Sequence, residues 1–308
     1  MSNHRLFYAF LLLGFFVFGC GGSSEGNQGA KPGKNPVSLM SFNLRYASAE
    51  DQTNSWNFRR KQVFDTIRKY GGDFIGLQEV IESQLKELGE ELSGYKCIGE
   101  ARHDRSYANP LYNEWNPICY KTALWKVDPV ENGTFWLSET PDVLASKSWG
   151  SSLPRICTWA KFTHRKTGKS LYIYNTHYDQ VSQEARINSS KLILKRMSQR
   201  KSKESPVFLM GDLNAGENSD SVQLLTSTPI DKNKNDLLLD TFRHLYPNAG
   251  KTGTYNYWIG FKLGPKVDYI FGLSSQKSRI ISAKILHHHT GGHYPSDHFP
   301  VIASINFD

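Results

Sequence analysis

What most constrains this chain is a repeated pattern in which an apolar run stops at a residue able to hold a cation or move a proton. In Pro206-Val207-Phe208-Leu209-Met210-Gly211-Asp212-Leu213-Asn214, four bulky apolar residues in succession suit a strand covered on both faces. Gly211 lets the backbone turn or approach a ligand closely, and Asp212 and Asn214 then face the same way at a period of two. The pattern recurs in Val37 to Asn43, in Phe74 to Glu79, and in Leu171-Tyr172-Ile173-Tyr174-Asn175-Thr176-His177. Val267 to Phe271 carries Asp268 inside a strand-like run, and Ser296-Asp297-His298 precedes a last run from Phe299 to Phe307. Loops at strand ends are where α/β folds gather reactive groups from distant sequence positions.

These motifs span Asn43 to His298 in a chain of 308 residues, which favours one integrated domain over residues 37–308. A 39% hydrophobic and 21% charged composition is ordinary for a soluble globular protein. The formal charge is +8, and loss of residues 1–19 removes Arg5 alone, leaving +7. That mild excess suits polyanionic partners and selects none.

At the N-terminus, Arg5 precedes an apolar run from Leu6 to Phe18 that is too short for a comfortable transmembrane span. Residues 1–19 therefore read as an export signal. Val17-Phe18-Gly19-Cys20 resembles the lipobox of bacterial lipoproteins, which implies lipidation at Cys20; a plain cleaved signal is the alternative. Residues 20–36, rich in Gly, Ser, Asn, Lys and Pro, read as a flexible tether. The chain is thus expected to be exported and held at the cell envelope, or otherwise periplasmic or secreted. Cys97, Cys119 and Cys157 remain beyond the tether. Buried free thiols are the expectation, with one disulfide and one free thiol as the alternative.

Asn57 is the expected cap of a helix running to Tyr70, with Val63, Phe64, Ile67 and Tyr70 on one face and Gly71-Gly72 as its end. Leu85, Leu88 and Leu92 mark a second helix up to Gly94. Short antiparallel strands are expected around 118–120, 124–127, 135–137 and 156–162, with Thr167-Gly168 turning the last of them into the run ending at His177. A third helix is expected from Gln183 to Ser198; its basic end, Lys195 to Lys203, complements the helix dipole and stays solvated. Ser219 is the expected cap of a short fourth helix, and the remainder reads as strands and loops. No internal repeat is present.

A carboxylate at the end of a strand as apolar as Phe74 to Gln78 is costly unless it is paired or bound to a cation. Glu79, helped by Asn43 and Asp297, therefore makes a credible magnesium site, because magnesium takes oxygen ligands and often needs only one or two carboxylates. Asp212 and Asn214 suit holding a water against a phosphorus atom while the carboxamide contacts a phosphate oxygen. Alone, the same two residues would make an Asx turn. Asp297 and His298 are neighbours in an extended segment and point apart, so Asp268 is the candidate to orient the His298 ring. His177 is placed to bind another phosphate oxygen. His287, His288, His289 and His293 read as a solvated loop at the rim of the site, and Trp258 as a packed aromatic or a stacking platform for a base or sugar.

Taken together, Asn43, Gln78-Glu79, Asn175-Thr176-His177, Gly211-Asp212-Leu213-Asn214, Val267-Asp268-Tyr269-Ile270 and Ser296-Asp297-His298 resemble the endonuclease/exonuclease/phosphatase, or DNase I-like, superfamily in its secreted bacterial branch. The resemblance implies an α/β fold, a four-layered sandwich of two packed mixed β-sheets with helices outside. It implies a magnesium-dependent (or manganese-dependent) phosphoesterase acting on phosphodiesters or phosphomonoesters by in-line attack of water. The metal residues would be Asn43, Glu79 and Asp297, and the catalytic residues His177, Asp212, Asn214, Asp268 and His298. Nucleic acid, nucleotide, phospholipid and sugar phosphate all remain open as substrates, with membrane attachment through the lipid anchor and a monomeric state expected. Lys266-Val267-Asp268-Tyr269 lacks the signature of the inositol-polyphosphate 5-phosphatases, which lowers that class. Asp179-Gln180 stands where relatives often carry Asp-His. A non-catalytic lipoprotein that binds a phosphate-containing ligand is the competing expectation.

Overall fold

A computed structural model describes residues 26–33, 36–104, 106–231 and 235–307; the stretch read as an export signal and Cys20 lie outside the described residues. In chain order the elements are β1 (Pro36–Asn43), α1 (Trp56–Tyr70), β2 (Phe74–Gln78), α2 (Glu82–Glu91), β3 (Tyr95–Ile98), β4 (Ile118–Lys121), β5 (Trp125–Trp136), β6 (Ile156–His164), β7 (Ser170–His177), α3 (Gln183–Ser198), β8 (Val207–Asp212), α4 (Asp220–Ser227), β9 (Leu238–Asp240), α5 (Thr241–Leu245), β10 (Asp268–Leu273), β11 (Ile280–Ile285) and β12 (Val301–Asn306). They build two six-stranded sheets, ordered β11-β12-β1-β2-β4-β3 and β5-β6-β7-β8-β10-β9.

Alternation along the strands explains the layering. Leu39, Phe74, Ile173, Phe208, Met210 and Ile270 share the core between the sheets. Their neighbours turn outward: Met40, Phe42, Ile75 and Leu77 pack on Val63, Phe64 and Ile67 of α1, while Tyr172, Tyr174, Leu209 and Phe271 pack on Ile193, Leu194 and Met197 of α3. Strands covered on both faces need apolar residues at every position, which is why their sequences read as unbroken runs. The result is the four-layered sandwich that the sequence motifs imply.

The topology brings the strand ends together. β1 and β2 are parallel with α1 between them, and β7 and β8 are parallel with α3 between them. Register pairs Asn43 with Gln78 and His177 with Asp212, so these four C-terminal ends share one edge of the sandwich. The antiparallel strand β10 starts there with Asp268 opposite Asp212, and β12 starts there just after His298. Beneath this edge the sheets are clamped by Gln78 Nε2 donating to Asn175 Oδ1 (2.7 Å) and Asn175 Nδ2 donating to the Leu77 and Pro117 carbonyls (2.8 and 2.9 Å). Gly76 makes the clamp possible, since a Cβ there would lie 2.6 Å from Asn175 Oδ1.

Several expectations are corrected. The first helix starts at Trp56, with Ser55 rather than Asn57 at the cap position, because the buried Trp56 ring already belongs to its apolar face against Phe64. The runs around 124–127 and 135–137 are one edge strand, β5, with a register shift between Val127 and Asn132; its Pro129 is tolerated there because an edge strand has unpaired positions. Ser219 precedes α4 but donates its hydroxyl to the Gly216 carbonyl instead of capping. A short helix, α5, interrupts the expected strands and loops, capped by Asp240 accepting from Phe242 N. Arg200, expected in solvent, is buried and donates to the Met197 and Lys203 carbonyls, closing the end of α3. Cys97 and Cys119, directly opposed on β3 and β4, form a disulfide, and Cys157 is free and buried.

Residues 26–33, inside the stretch read as a flexible tether, are laid along the domain. Asn27 N donates to the Leu245 carbonyl (2.7 Å) and Ala30 N to the Ile280 carbonyl (2.7 Å), while Asn306 Nδ2 donates to the Lys31 carbonyl (2.8 Å). Gly29 passes so close to β11 that a Cβ would meet the Ile281 carbonyl at 2.0 Å.

Candidate active site

The edge where the strand ends meet opens into a cavity of about 570 Å³. Glu79 stands one residue past β2 in the left-handed region (φ 56°), a conformation that costs a non-glycine residue about 1–3 kcal/mol. Asn43 Nδ2 links the two sheets at this point, donating to Glu79 Oε1 (2.9 Å) and to Asp212 Oδ2 (3.0 Å). Gly211 has φ 152° and touches the Thr176 carbonyl, where a Cβ would lie at 2.1 Å, so only glycine lets β8 deliver Asp212 here. Asp212 Oδ1 accepts from Asn214 N (2.8 Å), which is the Asx turn; this bond turns the chain and sends the Asn214 side chain to His177 Nε2 (2.9 Å) and the Tyr178 carbonyl (3.0 Å). The local turn and the site geometry are thus one arrangement.

Asp297 and His298 point apart. His298 Nδ1 lies 2.9 Å from Asp268 Oδ2 and its Nε2 lies 3.7 Å from Asp212 Oδ2. Burial lowers the His298 pKa, yet the charges of Asp268 and then Asp212 outweigh it and hold the ring well above the ordinary imidazole range. Burial raises Asp212 to about 7, reinforced by Asp268 and opposed by His298. Asp212 therefore sits between a protonated imidazole and a second carboxylate, suited to taking a proton from water near neutral pH. His177 is the opposite case: burial, with Arg155 next, pushes it well below the ordinary range. It is neutral, so its approaches to Asp212 (3.6 Å) and Glu114 (4.0 Å) are not ion pairs. Donor groups face both ring nitrogens, Arg155 NH1 at 3.2 Å from Nδ1 and the Asn214 side-chain amide nitrogen at 2.9 Å from Nε2.

Glu79 and Asp297 flank the Arg45 guanidinium, at 4.0 and 3.9 Å, and Asn43 Oδ1 accepts from Arg45 N (2.9 Å). Arg45 is itself engaged by Asp51 through two bonds of 2.9 and 3.1 Å. Glu79 and Asp212 carboxylate oxygens and a His177 ring nitrogen also lie within 4.8 Å of one another. Burial, opposed by His298, raises Asp297. The Glu79 and Asp212 carboxylates, bridged by Asn43, offer oxygen donors of the kind that fit a hard cation.

Arg45, Arg102, Glu114 and Arg155 border the cavity and were not singled out in the sequence. They sit in loops and strand edges where no periodicity marks them; only the placement of a charged residue beside buried aromatic runs, as in Pro154-Arg155-Ile156-Cys157-Thr158-Trp159, hints at them. Arg59 on α1 is buried and donates to the Leu44 (2.5 Å), Arg45 (2.8 Å), Asn54 (2.8 Å) and Pro295 (2.9 Å) carbonyls, tying together the loops that carry Arg45 and Asp297. The histidines at 287–289 and 293 do not border the cavity, contrary to expectation: His287 packs on Phe299, His288 on Tyr70 and His289 on Tyr294. Trp258 lies under the Arg59 guanidinium, also outside the cavity.

The model of a family described as the Endonuclease/Exonuclease/phosphatase family matches residues 40–298. Among solved structures, an endonuclease/exonuclease/phosphatase from Bacteroides vulgatus is similar with a TM-score of 0.77 and 29% identity, over 89% of this chain and 100% of that one. A mannosyl-6-phosphatase from Bacteroides thetaiotaomicron VPI-5482 gives 0.75 and 30%, over 88% and 100%. The human Nocturnin catalytic domain shares the fold (TM-score 0.67, 17% identity, 89% and 95% covered). No curated protein matches significantly.

Proposed function

The chain belongs to the endonuclease/exonuclease/phosphatase family, and from that premise we propose that it is an exported, magnesium-dependent hydrolase that cleaves a phosphoester by in-line attack of water. The observation that carries the reading is the meeting of Asp212, Asn214, His177 and the His298–Asp268 pair beside Glu79, Asn43 and Asp297 at one end of the sandwich. Asp212 holds and deprotonates the attacking water, while Asn214 and neutral His177 border the phosphoryl oxygens. His298, kept protonated by Asp268, stabilises the negative charge that builds there. Magnesium held by Glu79 with Asn43 and Asp297 would neutralise phosphoryl charge; manganese fits the same donors.

The likeness to a mannosyl-6-phosphatase supports a monoester over a diester. So does a cavity of about 570 Å³, a size suited to a phosphate with one small organic group. Export is supported by the Cys97–Cys119 disulfide, since such bonds persist in oxidising compartments. Lipidation at Cys20, attachment to the envelope and a monomeric state complete the proposal. The test is hydrolysis of p-nitrophenyl phosphate and bis-p-nitrophenyl phosphate with magnesium, with manganese and with chelator. Metal-dependent turnover of the monoester is expected, with Asp212→Asn at least about 100-fold slower in kcat. Equal rates in Asp212→Asn and wild type, or binding without turnover in any metal, would overturn it; the latter would favour a ligand-binding lipoprotein.

A further inference from the structure

The cavity continues past the reacting groups. His177 divides it: Nε2 faces Asp212 and Asn214, and on the Nδ1 side lie Arg155 and Glu114. On that side the wall includes Arg102, Tyr107, Tyr112 and Glu114, with Arg102 and Glu114 4% and 8% exposed. Arg102 NH1 stands 3.0 Å from Glu114 Oε2, but it is not aligned as a hydrogen bond, and neither NH1 nor Nε has a hydrogen-bond partner. NH2 alone is satisfied, donating to the Tyr112 carbonyl (2.6 Å). Arg102 and Glu114 are also held by backbone bonds. Trp136 Nε1 donates to the Arg102 carbonyl (2.8 Å), and Arg102 N to the Glu114 carbonyl (3.0 Å).

A buried ion pair with unsatisfied donors costs the fold stability, because both charges leave water without full compensation. Such a pair facing a cavity calls for a ligand that completes it. A carboxylate only accepts hydrogen bonds and a guanidinium only donates them. Adjacent hydroxyl groups answer both at once, each donating to Glu114 and accepting from Arg102, without adding charge. A second anionic group would meet Glu114, and a cationic one Arg102 and Arg155. Tyr107 and Tyr112 border the same space, aromatic groups of the kind that pack on the C–H side of a sugar.

From this geometry, and resting on the phosphoesterase reading above, we infer that Glu114 and Arg102 form a leaving-group subsite that selects phosphomonoesters of polyhydroxylated, carbohydrate-like alcohols. The reaction at phosphorus is unchanged; the subsite holds the alcohol oxygen in line with the attacking water.

The test compares kcat/KM for mannose 6-phosphate and glucose 6-phosphate with that for p-nitrophenyl phosphate, which lacks the hydroxyl groups, in wild type and Glu114→Gln with magnesium. The ratio of sugar phosphate to p-nitrophenyl phosphate is expected to fall at least tenfold in Glu114→Gln, mainly through KM. A ratio that stays within threefold of wild type, or a wild-type preference for nucleoside monophosphates that survives the substitution, overturns the subsite. Free mannose is also expected to inhibit wild-type p-nitrophenyl phosphate turnover competitively and better than cyclohexanemethanol; equal or absent inhibition counts against the inference even where Glu114→Gln does not fold. Failure of wild type to hydrolyse any of these esters sinks the phosphoesterase reading itself, whereas turnover without discrimination sinks only the subsite.

Discussion

Replacing Asp268 with Asn removes a charge from a fully buried carboxylate while keeping its shape. Asp268 Oδ2 is 2.9 Å from His298 Nδ1, and no other charge contributes more to keeping that ring protonated. A hydrogen bond to a charged partner contributes about 1.5–3 kcal/mol. A loss of about 2 kcal/mol in support of the imidazolium corresponds to about 30-fold in kcat. One effect runs the other way: Asp268 also raises Asp212, so the substitution lets Asp212 ionise more readily. Burial is the larger cause at Asp212, and Asp268 acts on His298 through direct contact, so the loss at His298 wins. The working form needs Asp212 ionised and His298 protonated, which makes the pH profile bell-shaped. Both limbs are then expected to move toward acid in Asp268→Asn, the acid limb because Asp212 loses its like-charged neighbour and the alkaline limb because His298 loses its partner. Steady-state rates from pH 4 to 10 with saturating magnesium, alongside a melting curve, measure this. A folded variant with a lower amplitude but unmoved limbs would refute the reasoning, since Asp268 would then act through packing alone.

Glu79→Gln is expected to weaken manganese binding at least about tenfold by calorimetry, together with its turnover, because the amide keeps the shape but loses the charge that a hard cation needs; unchanged affinity would move the metal elsewhere. The Cys97–Cys119 disulfide spans 22 residues, and by chain entropy its removal in Cys97→Ser/Cys119→Ser is expected to cost about 3 kcal/mol in urea unfolding. No change in midpoint would show that the pairing of β3 with β4 already restrains the unfolded chain as well as the bond does.

The sites on strand ends were legible because burial on both faces forces a continuous apolar run, and a polar residue that ends such a run must have a reason to be there. Helix α3 was legible to the residue, since Ala185, Ile193 and Met197 face inward and the Ser182 hydroxyl caps it by accepting from Ala185 N. Arg45, Glu114 and Arg155 were not, because what distinguishes them is the company they keep after folding: Arg45 meets Asp297 across 252 positions of chain. The same holds for Cys97 and Cys119, whose pairing depends on register between two short strands rather than on spacing. Gln78 and Asn175, read as parts of site motifs, belong to the clamp beneath the site.

The strap at residues 26–33 sets a direction. It docks where β11 begins and β12 ends, and β1 then runs from Pro36 beside it to Asn43 at the cavity, a path of roughly 23 Å at the rise of a strand. An acyl chain on Cys20 would be only six residues from the start of that strap, a reach of at most about 20 Å. A bilayer holding this protein by Cys20 would therefore grip the pole opposite the cavity and turn its mouth outward. Headgroups of that same leaflet would lie behind the enzyme, while dissolved esters arriving from the surroundings would meet the open side.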